Sequence, residues 1–90
     1  MQYRALRSVK LPKNKQILIK STCLDFTDQP SQVQEKIINL CAEAGGVYCH
    51  ALFDIMTKGK TISKMALNVP CGVSTLERAQ KRFYEMWNND

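Results

Sequence analysis

The helical spacing of apolar residues is the feature that most limits what this chain can fold into. Between residues 31 and 44, the apolar side chains recur at i, i+4, i+7, i+8 and i+11: Val33, Ile37, Leu40, Cys41 and Ala44. This spacing places them on one face of an α-helix. Ser31 is a candidate N-cap. Gly45 and Gly46 predict the end of the helix, because glycine adopts a left-handed conformation at little cost.

Three more helices are predicted downstream by the same criterion. The first covers residues 47 to about 56 and carries Val47, Ala51, Leu52, Ile55 and Met56 on its apolar face. A short helix over 62–68 follows, with Thr61 as its N-cap and Pro70 as the residue that stops it. The last helix begins near Val73 or Ser74 and buries Leu76, Ala79, Phe83 and Met86/Trp87. We therefore predict a mainly α fold, a four-helix domain.

Residues 3–24 permit two interpretations. Pro12-Lys13-Asn14-Lys15 is a turn sequence, and residues 16–22 after it are rich in β-branched side chains. A short β-hairpin is one interpretation, and we prefer it. The other is a basic extended arm that docks through residues 17–19.

The length and charge of the chain narrow its function. Ninety residues make one domain with a narrow margin of stability, which favours a homodimer. The first twenty residues contain six basic residues and no acidic ones, and residues 58–82 contain six basic residues against Glu77 alone. Two basic regions separated by a neutral or acidic middle indicate an anionic partner that is contacted at two places. A solvated, lysine-rich surface is the alternative.

Several classes of protein are disfavoured. The chain has no apolar run near the roughly 20 residues that cross a bilayer, and no apolar segment follows its basic start. We therefore expect a cytoplasmic protein without membrane contact. The four cysteines (Cys23, Cys41, Cys49 and Cys71) form no CxxC pair, so we expect reduced thiols and no metal site. No nucleophile–base set or carboxylate pair can be assembled, so we expect neither an enzyme nor a cofactor.

The last two predicted helices have the spacing of a helix-turn-helix. Ala66 supplies the small residue where the second helix crosses the first, and Leu76 follows ten residues later. Val69 and Val73 flank the turn. These requirements arise from close packing at a steep crossing angle, which leaves the second helix free to enter a major groove.

The residues of this segment also resemble known proteins. GKTISKMA followed by PCGVSTLER resembles the helix-turn-helix of bacterial and phage transcription regulators, and Ser74-Thr75-Leu76 is similar to their S-T-[VIL] signature. The turn resembles that of the Trp repressor family. The wider layout over about residues 47–87 resembles region 4 of sigma factors and the small late-gene regulators of phages of Gram-positive bacteria. Pro70 differs from the glycine that such motifs usually have.

This resemblance implies a division of the single domain, residues 1–90. Residues 1–30 would be a basic arm or hairpin, residues 31–56 two support helices, and residues 61–87 the helix-turn-helix, with 74–87 as the recognition helix. The implied partner is double-stranded DNA, bound by a homodimer, and RNA polymerase is a further candidate partner.

Specific residues are expected to contact each part of the DNA. Base edges would be met from the start and outer face of the last helix, by Val73, Ser74, Thr75, Glu77, Arg78 and Lys81. Phosphates would be held by Lys60, Thr61, Lys64 and Arg82, with Arg4, Arg7 and Lys10 added from the N-terminal arm. The alternative is a solvated helix face with Glu77 and Lys81 as an i,i+4 ion pair.

Two functions from different classes fit these observations. The first is a sequence-specific DNA-binding transcription regulator. The second is a small protein-binding adaptor or inhibitor, of a phage or plasmid type, that uses the same bundle without reading bases.

Overall fold

The computed structural model describes residues 11–70 and 72–88, and this part of the chain is built from helices. Five α-helices follow one another: α1 (Lys13–Leu24), α2 (Ser31–Gly45), α3 (Cys49–Lys58), α4 (Ile62–Asn68) and α5 (Val73–Asn88). Short 3-10 turns at Phe26–Asp28 and Gly46–Tyr48 connect α1 to α2 and α2 to α3. The prediction of a mainly α fold is confirmed, and α2 to α5 are the four predicted helices.

The predicted β-hairpin is wrong where the structure describes that segment, because residues 13–24 form helix α1. Its buried residues, Gln16, Ile19 and Cys23, are spaced i, i+3 and i+7, and the helix packs on α3 and α5. The Thr22 hydroxyl donates to the Leu18 carbonyl oxygen at 2.8 Å, a contact by which threonine is accommodated within helices. Burial against distant helices has outweighed the local β-propensity. Residues 3–10 of the predicted hairpin lie outside the described part.

The helix ends differ from the prediction at two places. Ser31 is the first residue of α2 and not its N-cap; the carbonyl oxygen of Pro30 accepts the first amides, from Val33 and Gln34, each at 3.0 Å. Val47 lies in the turn before α3 with 87% of its surface exposed, so it is not part of the apolar face predicted for that helix.

The other predicted helix ends are confirmed. The Thr61 side chain accepts a hydrogen bond from the Lys64 amide at 3.3 Å and caps α4. Gly46 ends α2 with a φ of +57°, a value in the region that favours glycine. A second glycine with positive φ, Gly59 at +68°, ends α3.

The core is organised around α2, which packs on both α3 and α5. On α2, Val33 is half-buried and the other predicted inner residues are buried. On α5, Leu76, Ala79 and Phe83 are buried as predicted, and Gln80 and Tyr84 are buried beside them. The Gln80 amide lies 3.7 Å from the sulfur of Met56, which gives this buried polar group a partner on α3.

Three of the four cysteines lie in the described part, and all three are free thiols. Cys23 and Cys41 are buried, and Cys49 is half-buried. Burial raises the pKa of both Cys23 and Cys41 to about 12, with a smaller contribution from neighbouring thiols. The prediction of reduced thiols that act as small apolar residues is confirmed for Cys23 and Cys41. Cys71 lies outside the described residues.

Candidate nucleic-acid interface

Helix α5 presents a polar surface on the side opposite its buried stripe. Of the predicted base-contacting residues, Val73, Ser74, Glu77 and Arg78 are exposed, and Thr75 and Lys81 are half-buried. This distribution follows from helical geometry, since the inner residues are spaced by three or four positions and leave the intervening ones outside. All six therefore have surface that a ligand can reach.

Part of this surface borders a cleft between α5 and the end of α2. Thr75, Arg78 and Arg82 line one side, at the spacing i, i+3 and i+7, and Gly45 and Gly46 line the other. The cleft has a volume of about 430 Å³. It brings together one predicted base-contacting arginine, Arg78, and one predicted phosphate-contacting arginine, Arg82.

The electrostatics of the cleft are mixed. Glu43 lines it together with the two arginines, and the carbonyl end of α2, which carries partial negative charge, lies beside them. Even so, within the described residues neither arginine side chain forms an ion pair or a hydrogen bond. No acceptor in the described part of the chain therefore occupies the donors of either guanidinium group.

The ion pair expected between Glu77 and Lys81 on a solvated helix face is not formed within the described part of the chain. The i,i+4 pair that the structure does contain joins Lys58 and Asp54 at 3.4 Å, at the end of α3. The charged residues on the outer surface of α5 are thus not engaged with one another.

The predicted phosphate contacts at the start of α4 are exposed. Lys60 and Lys64 have solvent-accessible side chains without described ion pairs. Thr61, between them, uses its hydroxyl oxygen as the acceptor that caps the helix. Its hydroxyl hydrogen remains a donor, so capping and phosphate contact are compatible. The other predicted phosphate contacts, Arg4, Arg7 and Lys10, lie outside the described residues.

Most of the apolar positions predicted for the helix crossing are packed against the core. Ala66 is half-buried and packs against the core, and Leu76 is fully buried. Val69 also packs against the core. Val73, by contrast, has 42% of its surface exposed, so only one of the two valines expected to flank the turn is packed beneath it.

In the turn between α4 and α5, no described residue adopts the positive φ that would favour glycine. Val69 is extended, with φ −127° and ψ 148°. The only described residues with positive φ are Gly46 and Gly59, so Gly72 is not left-handed. A proline at position 70, where resembling motifs usually have glycine, is therefore compatible with the chain path.

Tyr48 fixes this turn to the rest of the molecule. Its hydroxyl donates to the Pro70 carbonyl oxygen at 3.3 Å, and its half-buried ring packs against the core. Sequence reasoning missed Tyr48, Gly45 and Gly46 as neighbours of the α4–α5 segment. No local signal marks them, because they are brought there by the way α2 ends against α5.

Searches against protein families, curated proteins and solved structures find no match to this chain. Among the helices that the structure describes, none has the length and apolar character required to traverse a bilayer.

Proposed function

We propose that this protein is a sequence-specific DNA-binding transcription regulator in which α4 and α5 act as a helix-turn-helix. The observation that carries the proposal is the surface of α5. Its buried side holds the helix on the core, and its opposite side offers polar and basic side chains that have no partner in the described chain. A recognition helix needs this division, because its base-contacting side chains must be free when it enters the major groove.

Different side chains on this surface suit different parts of DNA. Arg78 can donate two hydrogen bonds to O6 and N7 of guanine, and Glu77 can accept from N4 of cytosine. The exposed methyl groups of Val73 suit the methyl group of thymine. Lys60, Lys64 and Arg82 suit phosphates, which fix the position of the protein without specifying sequence.

The packing of α4 on α5 supports the same proposal. Ala66 and Leu76 lie ten residues apart, and both contribute to the contact of these helices with the core. A small residue at the first position permits close approach of the second helix. We further propose that the protein acts as a homodimer and that RNA polymerase is a partner in regulation, as the resemblance implies.

Selection of bound fragments from a random pool of double-stranded DNA tests the proposal. We expect enrichment of a defined site, and a palindromic site would indicate the homodimer, because half-site symmetry mirrors protein symmetry. Affinity for that site should fall steeply with salt concentration, by about 0.9 in log K per unit of log salt for each phosphate contacted. No binding at low salt would contradict the proposal.

A pair of double variants locates the contacts. Lys60→Ala with Lys64→Ala should weaken binding and reduce the salt slope by roughly 1.8. Lys13→Ala with Lys15→Ala removes the same charge from exposed positions on α1 and should leave the slope nearly unchanged. Equal effects of the two pairs would mean that only net charge matters, and the assigned interface would be wrong.

A further inference from the structure

A shallow apolar groove lies between α2 and α3. It is lined by Ile38, Cys41, Ala42, Cys49, His50 and Phe53 and has a volume of about 290 Å³. Ile38 leaves 49% of its surface exposed there, although it is a large aliphatic residue on the central helix. The volume is just below the roughly 300–1,000 Å³ typical of small-molecule sites, and it is better suited to side chains inserted from a neighbouring polypeptide. No residue of the groove belongs to the proposed DNA interface.

The stretch of chain that forms the groove is acidic, although the whole chain carries a net charge of +5. Residues 21–57 contain five acidic residues and a single lysine or arginine, Lys36. The ammonium of Lys36 is 4.3 Å from the ring centroid of Trp87, so this lysine is directed towards α5. The only lysine of this region therefore does not neutralise the groove.

Three of the acidic residues are near groove residues, either through their neighbours in the chain or on the same helix face. Asp25 and Asp28 flank Phe26, whose ring packs edge-on against Phe53 with 5.0 Å between ring centroids. Glu35 is exposed and precedes Ile38 by three residues, which places the two on the same face of α2. Chain connectivity and helical spacing therefore bring these three residues, which we call the acidic rim, near the apolar groove.

We propose that this groove is a docking site for a basic amphipathic helix of a partner protein. The apolar residues of such a helix, spaced i, i+3, i+4 and i+7, fit a groove between two helices. Its lysines and arginines would face the acidic rim, which favours encounter and selects the partner. The proposal does not depend on DNA binding, because the two surfaces share no residue.

The acidic residues near the groove favour a basic partner helix over a second copy of this chain as its occupant. In a two-fold contact through the groove, each copy would present the same surface to the other. The rim residues Glu35, Asp25 and Asp28 of one copy would then approach those of the next, and like charges in an interface are unfavourable. A basic helix meets the same surface with opposite charge.

Fluorescence anisotropy with the full chain tests the proposal. The probe is a labelled synthetic helix with leucine at i, i+3, i+4 and i+7 and lysine elsewhere, and its control carries glutamate in place of every lysine. We expect the lysine peptide to bind, with affinity that falls as salt increases, and the glutamate peptide not to bind. Equal binding of the two peptides, or binding of neither, would overturn the proposal.

Matched substitutions inside and outside the groove test whether the lysine peptide binds there. Ile38→Gln removes the apolar side chain without changing charge and should weaken binding at least about tenfold. Leu67→Gln makes the same kind of change at an 86% exposed residue outside the groove and should leave the affinity unchanged. If Ile38→Gln also lowers the melting temperature, Glu35→Lys at an exposed position replaces it and should weaken binding too. Equal losses in Ile38→Gln and Leu67→Gln, or a dimer in sedimentation that Ile38→Gln dissociates, would overturn the assignment to a partner helix.

Discussion

The hydroxyl of Tyr48 donates a hydrogen bond to the carbonyl oxygen of Pro70, across 3.3 Å and 22 residues of sequence. It ties the turn that precedes α3 to the turn that precedes α5. Tyr48→Phe removes the hydroxyl and keeps the ring in the core. Because the bond is exposed to solvent, we expect urea unfolding to show a loss of no more than about 1 kcal/mol.

The same variant tests whether this contact orients α5. Under the proposed function, loosening the turn should lower affinity for the selected DNA site by about 2–5-fold, which corresponds to 0.5–1 kcal/mol. Affinity would be measured by anisotropy at fixed salt. Unchanged affinity in a destabilised variant would mean that the bond supports the fold alone.

The contact between Lys20 and the end of α3 predicts a larger effect on stability. The Lys20 ammonium donates to the Ile55 carbonyl oxygen at 2.6 Å, and this carbonyl is in the last turn of α3, where no helical amide follows to pair with it. Lys20→Met keeps the aliphatic stem but removes the donor. We expect a loss of roughly 1–3 kcal/mol in urea unfolding. Lys58→Met, which breaks the exposed pair with Asp54, should cost less than about 0.5 kcal/mol.

Two buried thiols and a buried phenol predict that the protein loses stability at alkaline pH. Burial raises the pKa of Cys23 and Cys41 from 9.0 to about 12 and that of Tyr84 from 10.0 to about 12. Above pH 9 the unfolded chain therefore releases these protons before the folded chain does. The stability that they contribute is complete below pH 9 and is lost between pH 9 and 12.

Lys20 opposes this trend. Burial lowers the pKa of its ammonium from 10.5, so raising the pH towards 10.5 stabilises the folded state through this group. Because three groups act against one, we expect the urea midpoint to fall from pH 8 to pH 10.5. Cys23→Ala should make this fall shallower, and an identical slope in the variant would exclude the thiol as a cause.

The prediction of the fold succeeded where local pattern decides and failed where distant contacts decide. The spacing of Ile37, Leu40 and Cys41, and the glycines after them, specify α2 without reference to the rest of the chain. α1 could not be recognised in the same way, because its buried residues include a glutamine. Gln16 and Cys23 lie on its inner face because α3 and α5 cover them, and this packing is not apparent from the sequence of α1 alone.

In the candidate site, too, some features could be predicted from local sequence and others depend on distant contacts. The outward residues of α5 were predictable, because a helix whose inner stripe is known leaves only one side for Ser74, Glu77 and Arg78. The cleft beside Arg78 was not predictable, since it depends on how Gly45 and Gly46 at the end of α2 lie against α5. That placement is set by tertiary packing.

The same substitution at two glycines is expected to have different effects on stability. Gly59 has a φ of +68°, so Gly59→Ser places a side chain in a left-handed conformation and should cost about 1 kcal/mol. Gly72 has no atom within 4 Å of an added Cβ, and its carbonyl accepts from the Thr75 amide at the start of α5. Gly72→Ser adds a capping hydroxyl there and should stabilise by a few tenths of a kcal/mol, or about zero. A marked loss in urea unfolding of Gly72→Ser would contradict the backbone described for this turn.

Arg78 and Arg82 provide the sharpest test of how α5 would meet DNA, because they are one helical turn apart and line the same cleft. If Arg78 contacts guanine, Arg78→Ala should cost roughly 1–3 kcal/mol on the selected site and relax the preference at one base pair. If Arg82 contacts phosphate, Arg82→Ala should weaken binding to all sequences alike and reduce the salt slope by about 0.9. Both variants remove one exposed charge, so net charge cannot distinguish them. Uniform weakening by Arg78→Ala would make Arg78 a phosphate contact, and base recognition would then be sought among Val73, Ser74 and Glu77.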